Sequence, residues 1–518
     1  MSEAKRFGNG CVASPHYLAS AAGLAVLAGG GNALDAAIAT NLTLGVVSPY
    51  MCGYGGDLFA IIWDGSALHG YNGSGRSPAG ATLEAVRSAV GAEELPPRGP
   101  FTVTVPGAVE AWFTLLERFG TRSFAELAAT PLSYARDGFP LTRATAAYMN
   151  GSAQIFTEDW SRAWHEVYDR ARAGERFTQP ALARTIEALA TKGPDVYYRG
   201  PVGEAIASTL HGFGAFMTPD DLAAHTGDWV TPMSTTYRGA EIFELPPNSQ
   251  GVTALEALNI VEDVDLGEPG SVHRHHVLIE AMKLALSDRS ANVTDIDHMR
   301  IDPRVLASKE FAATRRADLD PSRAGTPSLG KAAVGGTIYL CAADSDGMLV
   351  SLIQSNFAGF GSGVTVPEWG VNLQNRGSYF SLDADHVNVI APRKRTMHTL
   401  MPGMAFRDGK PWLVFGTMGG DGQAQTHLQF LSKVIDDGSD IQDAIDAPRW
   451  RASHVDWSVA TESRFGPEIA EGLRALGHET IKASAFDGGM GHAHAIEVSD
   501  AGYAAATDPR AEGAALGL

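Results

Sequence analysis

The chain has 518 residues, 44% of them hydrophobic, and a formal net charge of -19 at pH 7. This length predicts about two to four domains and permits a large apolar core. The acidic balance argues against a nucleic-acid-binding surface and against binding to anionic membranes. The three cysteines form no CxxC pair, and their odd number gives no disulfide framework. No apolar run reaches the roughly 18 residues of a membrane span.

The first motif along the chain predicts a pair of helices. Residues 17–28 and 32–47 are rich in small apolar residues, and "GGG" between them suits a helix C-cap followed by a new start. The first run follows Lys5 and Arg6 and so imitates a signal peptide, but a polar stretch separates the charges from the apolar run. A buried helix is the favoured interpretation, and we expect a cytoplasmic protein.

The middle of the chain predicts both strands and helices. Residues 58–78 suggest a hairpin around the two-residue turn signal Asp64-Gly65. Residues 105–235 are helix-rich with amphipathic periodicity. Residues 239–264 are typical of a strand, a loop and a helix, and residues 275–293 of a further helix.

The composition changes at residues 318–336, which contain Pro, Gly, Ser and Ala without apolar periodicity, as linkers do. Strand-like runs follow, and three of the intervening turns carry an aspartate and a glycine. Helices therefore dominate the first two thirds and sheet dominates the last third. This pattern predicts an α/β (α+β) layered architecture.

Thr337 directly follows the Gly-rich end of the linker and opens a predicted strand. A threonine hydroxyl needs a base, and the α-amine of an N-terminal threonine can serve as one. Cleavage before Thr337 would create that amine. From this stretch alone, however, an ordinary first residue of a strand is favoured, because β-branched residues suit strands.

The segment "FGTMGGDGQAQTHLQF" predicts a strand that runs through Gly419 and Gly420 into a helix. Backbone amides at such a turn can stabilise an oxyanion, although a simple tight turn is the more ordinary interpretation. Neither GxGxxG nor GxxxxGK[ST] is present, which disfavours a nucleotide phosphate site.

Three other patterns leave alternatives open. The histidines His273, His275 and His276 lack the spacing of a metal site, so a polar helix start is favoured. The basic cluster 393–395 suits either a carboxylate substrate or a solvated face. The sequence contains no GxSxG elbow, the motif that would indicate a serine α/β-hydrolase. Nothing in the sequence indicates a metal or organic cofactor.

A series of motifs spans nearly the whole chain in a fixed order: "SPHYLASAAGLAVLAGGGNALDAAIATNLTLGVVSPYMCGYGGDLF", "LPPNSQGVTALEALNIVE", "EAMKLALSDRS", "GGTIYLCAADSDG", "FAGFGSG", "LQNRGSYFS", "KRTMHTLMP", "FGTMGGDG", "APRW" and "DPR". Together they resemble the γ-glutamyltransferase family of self-processing N-terminal-nucleophile hydrolases. The resemblance implies a four-layer αββα sandwich. It also implies cleavage between Gly336 and Thr337 into a large fragment, 1–336, and a small fragment, 337–518, which associate as one unit.

The resemblance assigns roles to single residues. Thr337 would attack an amide and form an acyl-enzyme that water or an amine resolves, and Ser355 would support this nucleophile. Gly419 and Gly420 match the oxyanion hole, and Asn356 matches a substrate-binding position. The partners implied are a small-molecule amide and the second fragment, and a homodimer of processed pairs is left open.

The expected substrate pocket departs from the family. Arg76 lies two residues later than the usual arginine, and His398 and Thr399 replace two serines. Tyr379 stands where the carboxylate for a glutamyl α-amine is usual, and Arg376 adds a cation. Such a pocket should favour an anionic or uncharged acyl group over a zwitterionic one.

Three functions follow as hypotheses. The pocket changes favour an amidohydrolase for a small carboxylate-bearing amide, of oxamate or glutaryl type. A true γ-glutamyl hydrolase or transferase acting on glutathione-like compounds is the first alternative, since Arg76 could reach the same site. An unprocessed, non-catalytic homologue is the second.

Overall fold

A computed structural model describes residues 3–328 and 336–518. Two seven-stranded sheets lie face to face, and helices cover both outer faces. The predicted four-layer αββα sandwich is therefore confirmed. Within the described ranges, every helix is too short or too polar to span a bilayer.

The strands are β1 Lys5–Phe7, β2 Cys11–Ser14, β3 Asp57–Trp63, β4 Leu68–Asn72, β5 Phe139–Pro140, β6 Arg176–Phe177, β7 Asp228–Val230, β8 Met233–Tyr237, β9 Ala240–Glu244, β10 Gly336–Ala343, β11 Leu349–Phe357, β12 Thr365–Val366, β13 Val371–Asn372, β14 Gly403–Arg407, β15 Lys410–Thr417, β16 Trp450–Ala452, β17 Val459–Glu462, β18 Thr480–Ala483, β19 Ala493–Ser499, β20 Gly502–Thr507 and β21 Ala514–Gly517.

The α-helices are α1 Tyr17–Ala28, α2 Ala33–Val47, α3 Leu83–Val90, α4 Ala108–Phe119, α5 Phe124–Leu127, α6 Ala129–Asp137, α7 Arg143–Ala153, α8 Arg162–Tyr168, α9 Pro180–Lys192, α10 Asp195–Tyr198, α11 Pro201–Gly212, α12 Pro219–Ala223, α13 Gly251–Val261, α14 Val272–Asn292, α15 Pro303–Leu306, α16 Lys309–Arg316, α17 Gln423–Asp436, α18 Ile441–Asp446 and α19 Pro467–Ala475.

The two N-terminal helices lie where the sequence predicts them. Asn32 caps α2 by accepting from the amide of Asp35, whose carboxylate accepts from the Asn32 amide in return. This reciprocal pair satisfies two amides that a helix start leaves free. All 15 residues of α2 are buried, so the segment that imitates a signal peptide leads into the core.

The predicted hairpin of β3 and β4 is confirmed, but its two-residue turn is wrong. Trp63 pairs with Leu68, so the loop comprises residues 64–67. The Asp64 carboxylate accepts from the amides of Ser66 and Ala67 and so favours this longer turn.

Sheet order explains why the halves on either side of residue 336 form a single core. One sheet has the order β21-β2-β10-β11-β3-β4-β7, and the other β1-β20-β19-β15-β14-β9-β8. Each sheet thus interleaves strands from before and after Gly336. Apolar side chains fill the space between the sheets, while α1, α2 and α4 cover one outer face and α13, α14 and α17 the other.

Candidate active site

Thr337 is the second residue of strand β10, at an irregularity in the pairing of this strand with β11. It is fully buried, and its Oγ1 donates a hydrogen bond of 3.1 Å to Ser355 Oγ. Side chains at alternate positions of a strand share a face, so Thr337 points between the sheets with Tyr339 and Cys341. The predicted nucleophile is therefore held in an enclosed position by a neighbouring strand.

Ser355 connects the nucleophile with the peptide bond before it. Its Oγ donates to the carbonyl oxygen of Gly336 at 2.7 Å and accepts from the amide of Phe357 at 2.6 Å. With the bond from Thr337, the hydroxyl donates once and accepts twice, which is its full capacity. Ser355 thus orients both the hydroxyl and the carbonyl that it would attack.

Asp57 stands directly opposite Ser355 in the pairing of β3 with β11. Its carboxylate accepts from the amides of Gly75 and Gly107 at 3.1 and 3.2 Å and contacts His398 Nε2 at 3.1 Å. Burial raises the pKa of Asp57 to about 7, while nearby Arg376 and the two amides oppose that shift. A carboxyl group with a pKa near neutral therefore lies across the sheet from Ser355, the hydrogen-bond partner of Thr337.

His398 is neutral in this setting. Burial, together with the positive charges of Arg376 and Arg395, lowers the pKa of His398 well below its ordinary value. Its Nδ1 accepts from the amide of Leu400, so Nε2 carries the proton and donates to Asp57.

Arg376 has a buried side chain without hydrogen bonds to the described residues. It is 1% exposed, yet Nε, Nη1 and Nη2 have no partner among the described residues. The guanidinium lies 4.1 Å from the ring centroid of Phe357 and 5.7 Å from that of Tyr379. Burial lowers the pKa of Arg376 to about 10, so the side chain is positively charged at neutral pH. Buried donors of this kind are costly unless a ligand satisfies them.

Phe357 links this cation to the nucleophile. It is the pairing partner of Gly336 across β10 and β11. Its φ of 74° places it in the left-handed region, which is uncommon for a bulky residue. Arg376 therefore stacks on the residue that faces the predicted cleavage site.

The hydroxyl of Tyr379 donates to the carboxylate of Asp421, which also forms an ion pair of 2.7 Å with Arg289. Burial raises the pKa of Asp421, but His454 and Arg289 outweigh it, so the net shift is downward. Neighbouring residues thus hold Oδ1 of Asp421, whereas Oδ2 has no hydrogen-bond partner among the described residues and lies 4.0 Å from His454 Nε2.

Gly419 and Gly420 form the turn between β15 and α17, with φ values of 137° and 57°. These angles suit glycine, since L side chains rarely adopt them. Neither amide has a hydrogen-bond acceptor among the described residues, whereas the Gly420 carbonyl accepts from Gln250. Two free amides at a fixed turn are what an oxyanion hole requires.

A cavity of about 570 Å³ opens beside this turn. Gly336 and Gly419 both lie in its wall, together with Tyr50, Tyr148 and Arg451. Gly336 of the predicted cleavage site and Gly419 of the predicted oxyanion turn therefore line the same space.

The sequence model of the family described as Gamma-glutamyltranspeptidase matches residues 19–518. The chain belongs to the γ-glutamyltranspeptidase family. It is accordingly an enzyme of the kind this family comprises, hydrolases and transferases that act on amides.

Relatives within the γ-glutamyltranspeptidase family carry different activities in their names. The glutathione hydrolase-like YwrD proenzyme of Bacillus subtilis is 38% identical over 98% of this chain and 98% of its own. The oxamate amidohydrolase proenzyme of Klebsiella pneumoniae is 36% identical, again over 98% of both chains. The crystal structure of cephalosporin acylase from Bacillus halodurans matches with a TM-score of 0.95 at 39% identity, covering 100% of this chain and 97% of that chain.

Two further positions assigned from the γ-glutamyltranspeptidase resemblance are buried near the site. Asn356 follows Ser355 in β11, and its Oδ1 has no hydrogen-bond partner among the described residues. Thr399 follows His398, and its Oγ1 is likewise buried without a described partner. Both atoms could contact a ligand.

Arg76 lies elsewhere. It forms ion pairs with Asp295 at 3.3 Å and Asp228 at 3.5 Å. It lines a separate cavity of about 230 Å³ with His225 and Arg393, and it is not among the residues around Gly336 and Gly419. The structure thus groups Arg376, and not Arg76, with Phe357 and the nucleophile.

One cluster away from this site has the residue types of a metal centre. Ligand atoms of His276, Glu280 and His478 lie within 4.8 Å of one another. The ammonium group of Lys283 already contacts Glu280 at 2.9 Å and His478 at 3.3 Å, so the cluster holds its own cation. The histidines His273, His275 and His276 lie in the first turns of α14, where a helix start was expected, and His276 is buried.

Sequence reasoning missed Asp57 and Phe357. Phe357 is one residue beyond the assigned Asn356, within the motif "SNFAGFGSG". The sequence does contain a signal for Asp57. This acidic residue follows two glycines and begins an apolar strand, and a carboxylate in such a buried setting needs hydrogen-bond partners.

Proposed function

We propose that this enzyme cleaves itself between Gly336 and Thr337 and then hydrolyses amides whose acyl group is small and bears a carboxylate. The observation that carries the substrate class is Arg376, a fully buried cation with no hydrogen-bond partner among the described residues. Planar guanidinium groups bind carboxylates through paired hydrogen bonds.

Self-cleavage begins with attack of Thr337 Oγ1 on the carbonyl carbon of Gly336. The peptide C–N bond breaks as an ester forms, and the hydroxyl proton ends on the nitrogen that becomes the α-amine of Thr337. Water then hydrolyses the ester and leaves a carboxylate on Gly336. Ser355 supports this step because it contacts both reacting groups.

The free α-amine then serves as the base. It accepts the hydroxyl proton while Thr337 attacks the substrate amide, and the amides of Gly419 and Gly420 stabilise the negative oxygen. The amide C–N bond breaks, and the amine leaves with the proton. Water hydrolyses the resulting ester, which releases the acid and restores the threonine.

The neighbouring carboxylates support an anionic acyl group over a zwitterionic one. Asp57 is held by two backbone amides and His398, and Asp421 is held by Arg289 and Tyr379. An incoming ammonium group would compete with the contacts of Asp57 and of Asp421 Oδ1, whereas an incoming carboxylate would satisfy all three free nitrogens of Arg376. Oxamate, named for one relative, is an amide of this class.

We also propose that fragments 1–336 and 337–518 stay associated after cleavage. Strand β10 of the small fragment lies beside β2 of the large one, and β11 lies beside β3. Separation would expose both sheets and the apolar layer between them. The buried, unpaired cysteines Cys11, Cys52 and Cys341 fit a reducing cytoplasm as the proposed location.

The test uses purified protein and a panel of amides. Oxamate, succinamate and glutaramate are compared with γ-glutamyl-4-nitroanilide, and release of ammonia or nitroaniline is followed. The proposal expects turnover of at least one carboxylate-bearing amide and a much lower kcat/KM for the γ-glutamyl anilide. Strong γ-glutamyl turnover without turnover of the others would contradict it.

A further inference from the structure

The basic cluster 393–395 divides into two parts in the structure. Lys394 and Arg395 are buried and held by the protein, since Lys394 donates to two backbone carbonyls and Arg395 forms an ion pair with Asp228. Arg393 is exposed and has neither a hydrogen bond nor an ion pair with a described residue. The alternatives of a ligand site and a solvated face therefore concern Arg393 alone.

Backbone contacts with Ser77 bring Arg393 to the same cavity as Arg76. The Ser77 amide donates to the Lys394 carbonyl at 2.9 Å, and its Oγ donates to the Ala391 carbonyl at 2.5 Å and accepts from the Lys394 amide at 3.1 Å. Within this turn Arg393 has a φ of 56°, in the left-handed region that bulky residues seldom adopt. Both arginines line one cavity of about 230 Å³.

Arg76 has donors to spare for a ligand. Its contacts with Asp295 and Asp228 are long for ion pairs, at 3.3 and 3.5 Å. Arg395 competes for the same oxygens, because its amide donates to Asp295 Oδ2 at 2.8 Å and its guanidinium donates to Asp228 Oδ2. A guanidinium group has five N–H donors, so Arg76 can bind a further acceptor without losing either contact.

The other polar groups of the wall are compatible with an anion. His225 lines the cavity, is 8% exposed, and has no hydrogen-bond partner for Nε2 among the described residues. Burial and the positive charges of Arg395 and Arg76 lower the pKa of His225 to about 3, so the ring is neutral and keeps one N–H donor. Asp221 also lies in the wall, but both of its oxygens already accept from backbone amides.

The size of the cavity favours a small ligand with two charges. One ordered water needs roughly 10–15 Å³, and pockets for drug-sized ligands measure roughly 300–1,000 Å³. A volume of about 230 Å³ lies between these and suits a compact organic acid. Since each guanidinium group binds one carboxylate, a pair of arginines favours an acid that carries two.

This cavity is separate from the site of the reaction. It shares no described lining residue with the cavity of about 570 Å³ beside Gly336, and neither Arg376 nor Phe357 lines it. A ligand bound there leaves the nucleophile uncovered, so it need not be the substrate.

We propose that the cavity of Arg76 and Arg393 is a second binding site, which takes small dicarboxylates of the kind that the proposed reaction releases. The choice of ligand rests on the proposed amidohydrolase function. Hydrolysis of succinamate, which carries one carboxylate, consumes water and yields ammonium and succinate, which carries two. A site with two guanidinium groups therefore distinguishes the product from the substrate: Arg393 binds one carboxylate and Arg76 the other.

The test measures binding of succinate to the purified enzyme by isothermal titration calorimetry. R376Q serves as the background, because it removes the carboxylate site proposed beside the nucleophile and leaves the second site alone. R393Q is then added to this background, and R304Q, in an exposed ion pair with Asp302, is the matched control. The same pair of variants in the wild-type background, where succinate binds both sites, keeps the test valid if R376Q lowers the yield of folded enzyme.

We expect R376Q to bind one succinate. Addition of R393Q should raise its Kd by about fivefold, as loss of one exposed ion pair does, whereas addition of R304Q should change it by less than about twofold. Butyrate, which has the same carbon chain and one carboxylate, should bind the R376Q enzyme about fivefold more weakly than succinate for the same reason. Inorganic phosphate is titrated as the competing kind of dianion.

The outcomes separate this site from the proposed function. An unchanged Kd for succinate after addition of R393Q would overturn the second site, whether or not the enzyme hydrolyses succinamate. Equal affinity for butyrate, or tighter binding of phosphate, would overturn the assignment to dicarboxylates. Binding of succinate that depends on Arg393, in an enzyme that hydrolyses no carboxylate-bearing amide, would contradict the proposed function and leave the site standing.

Discussion

The hydroxyl of Thr337 donates to Ser355 Oγ at 3.1 Å, and the same Ser355 hydroxyl donates to the carbonyl oxygen of Gly336 at 2.7 Å. One side chain therefore contacts the attacking group and the bond that would be cut. A fixed hydrogen bond to a carbonyl stabilises the negative charge that develops on its oxygen.

This relationship predicts that S355A slows self-cleavage. Loss of one donor to a developing oxyanion typically costs roughly 10²–10³ in rate, so precursor should accumulate. S355T keeps the hydroxyl and should restore most of the cleavage. The measurement is a time course of precursor and fragments on a denaturing gel, and equal rates for S355A and wild type would contradict this role.

Arg376 and Arg76 offer competing positions for the substrate carboxylate, and mutation decides between them. R376Q should lower kcat/KM for succinamate by roughly 30-fold or more, since loss of one partner of a buried charge pair costs about 2–5 kcal/mol. R76Q should change it by less than about twofold, because Arg76 is paired with Asp295 and Asp228 in another cavity.

The kinetic constants separate binding from a general structural defect. R376Q should act mainly on KM for anionic amides, while KM for the uncharged methyl ester of the same amide stays nearly constant. A larger effect of R76Q than of R376Q would contradict this assignment and indicate that the substrate carboxylate binds Arg76, the position expected from the family pattern.

The pKa of Asp57, about 7, predicts a pH dependence of substrate binding. As the pH falls from 8 to 6, Asp57 becomes protonated and a negative charge beside Arg376 disappears. An anionic amide should then bind more tightly, so its KM should fall, by roughly threefold to tenfold. D57N should remove this dependence, and a KM that rises at low pH would contradict the assignment.

Lowering the pH should also lower kcat, through a different group. The α-amine of Thr337 must be neutral to act as a base, and an ordinary α-amine has a pKa of roughly 7.7–8.0. Lowering the pH should therefore reduce kcat in both wild type and D57N. Stopped assays at constant ionic strength between pH 6 and pH 9 give both constants.

The glycine turn gives a prediction about the oxyanion amides. G419A places an L side chain at a φ of 137°, so the backbone must shift and turn the amides away from the reacting carbonyl. We expect kcat to fall by roughly 10² or more with little change in KM. The exposed G409A, also at a positive φ of 73° but in the hairpin of β14 and β15, is a control for strain alone.

Sequence reasoning captured the features that follow from local order along the chain. The layered fold, the N-terminal helices and the hairpin turns at Asp408-Gly409 and Asp500-Gly502 needed only periodicity and turn chemistry. The candidate nucleophile and its serine came from motifs in family order.

The features that it missed depend on pairing between distant segments. Asp57 reaches Ser355 because β3 pairs with β11, and no local pattern gives that register. Phe357 has a left-handed φ and packs against the Arg376 guanidinium, and the sequence does not indicate that φ because the residue is not a glycine. Alignment likewise gave Arg76 a position in the chain, but the fold decides which cavity its side chain lines.

The central claim is cleavage before Thr337, and the mass of the denatured, purified protein tests it most directly. The account predicts two chains, residues 1–336 and residues 337–518 with threonine at the new N-terminus, and a single uncut chain for T337A. An active wild-type protein that stays a single chain of residues 1–518 would contradict it.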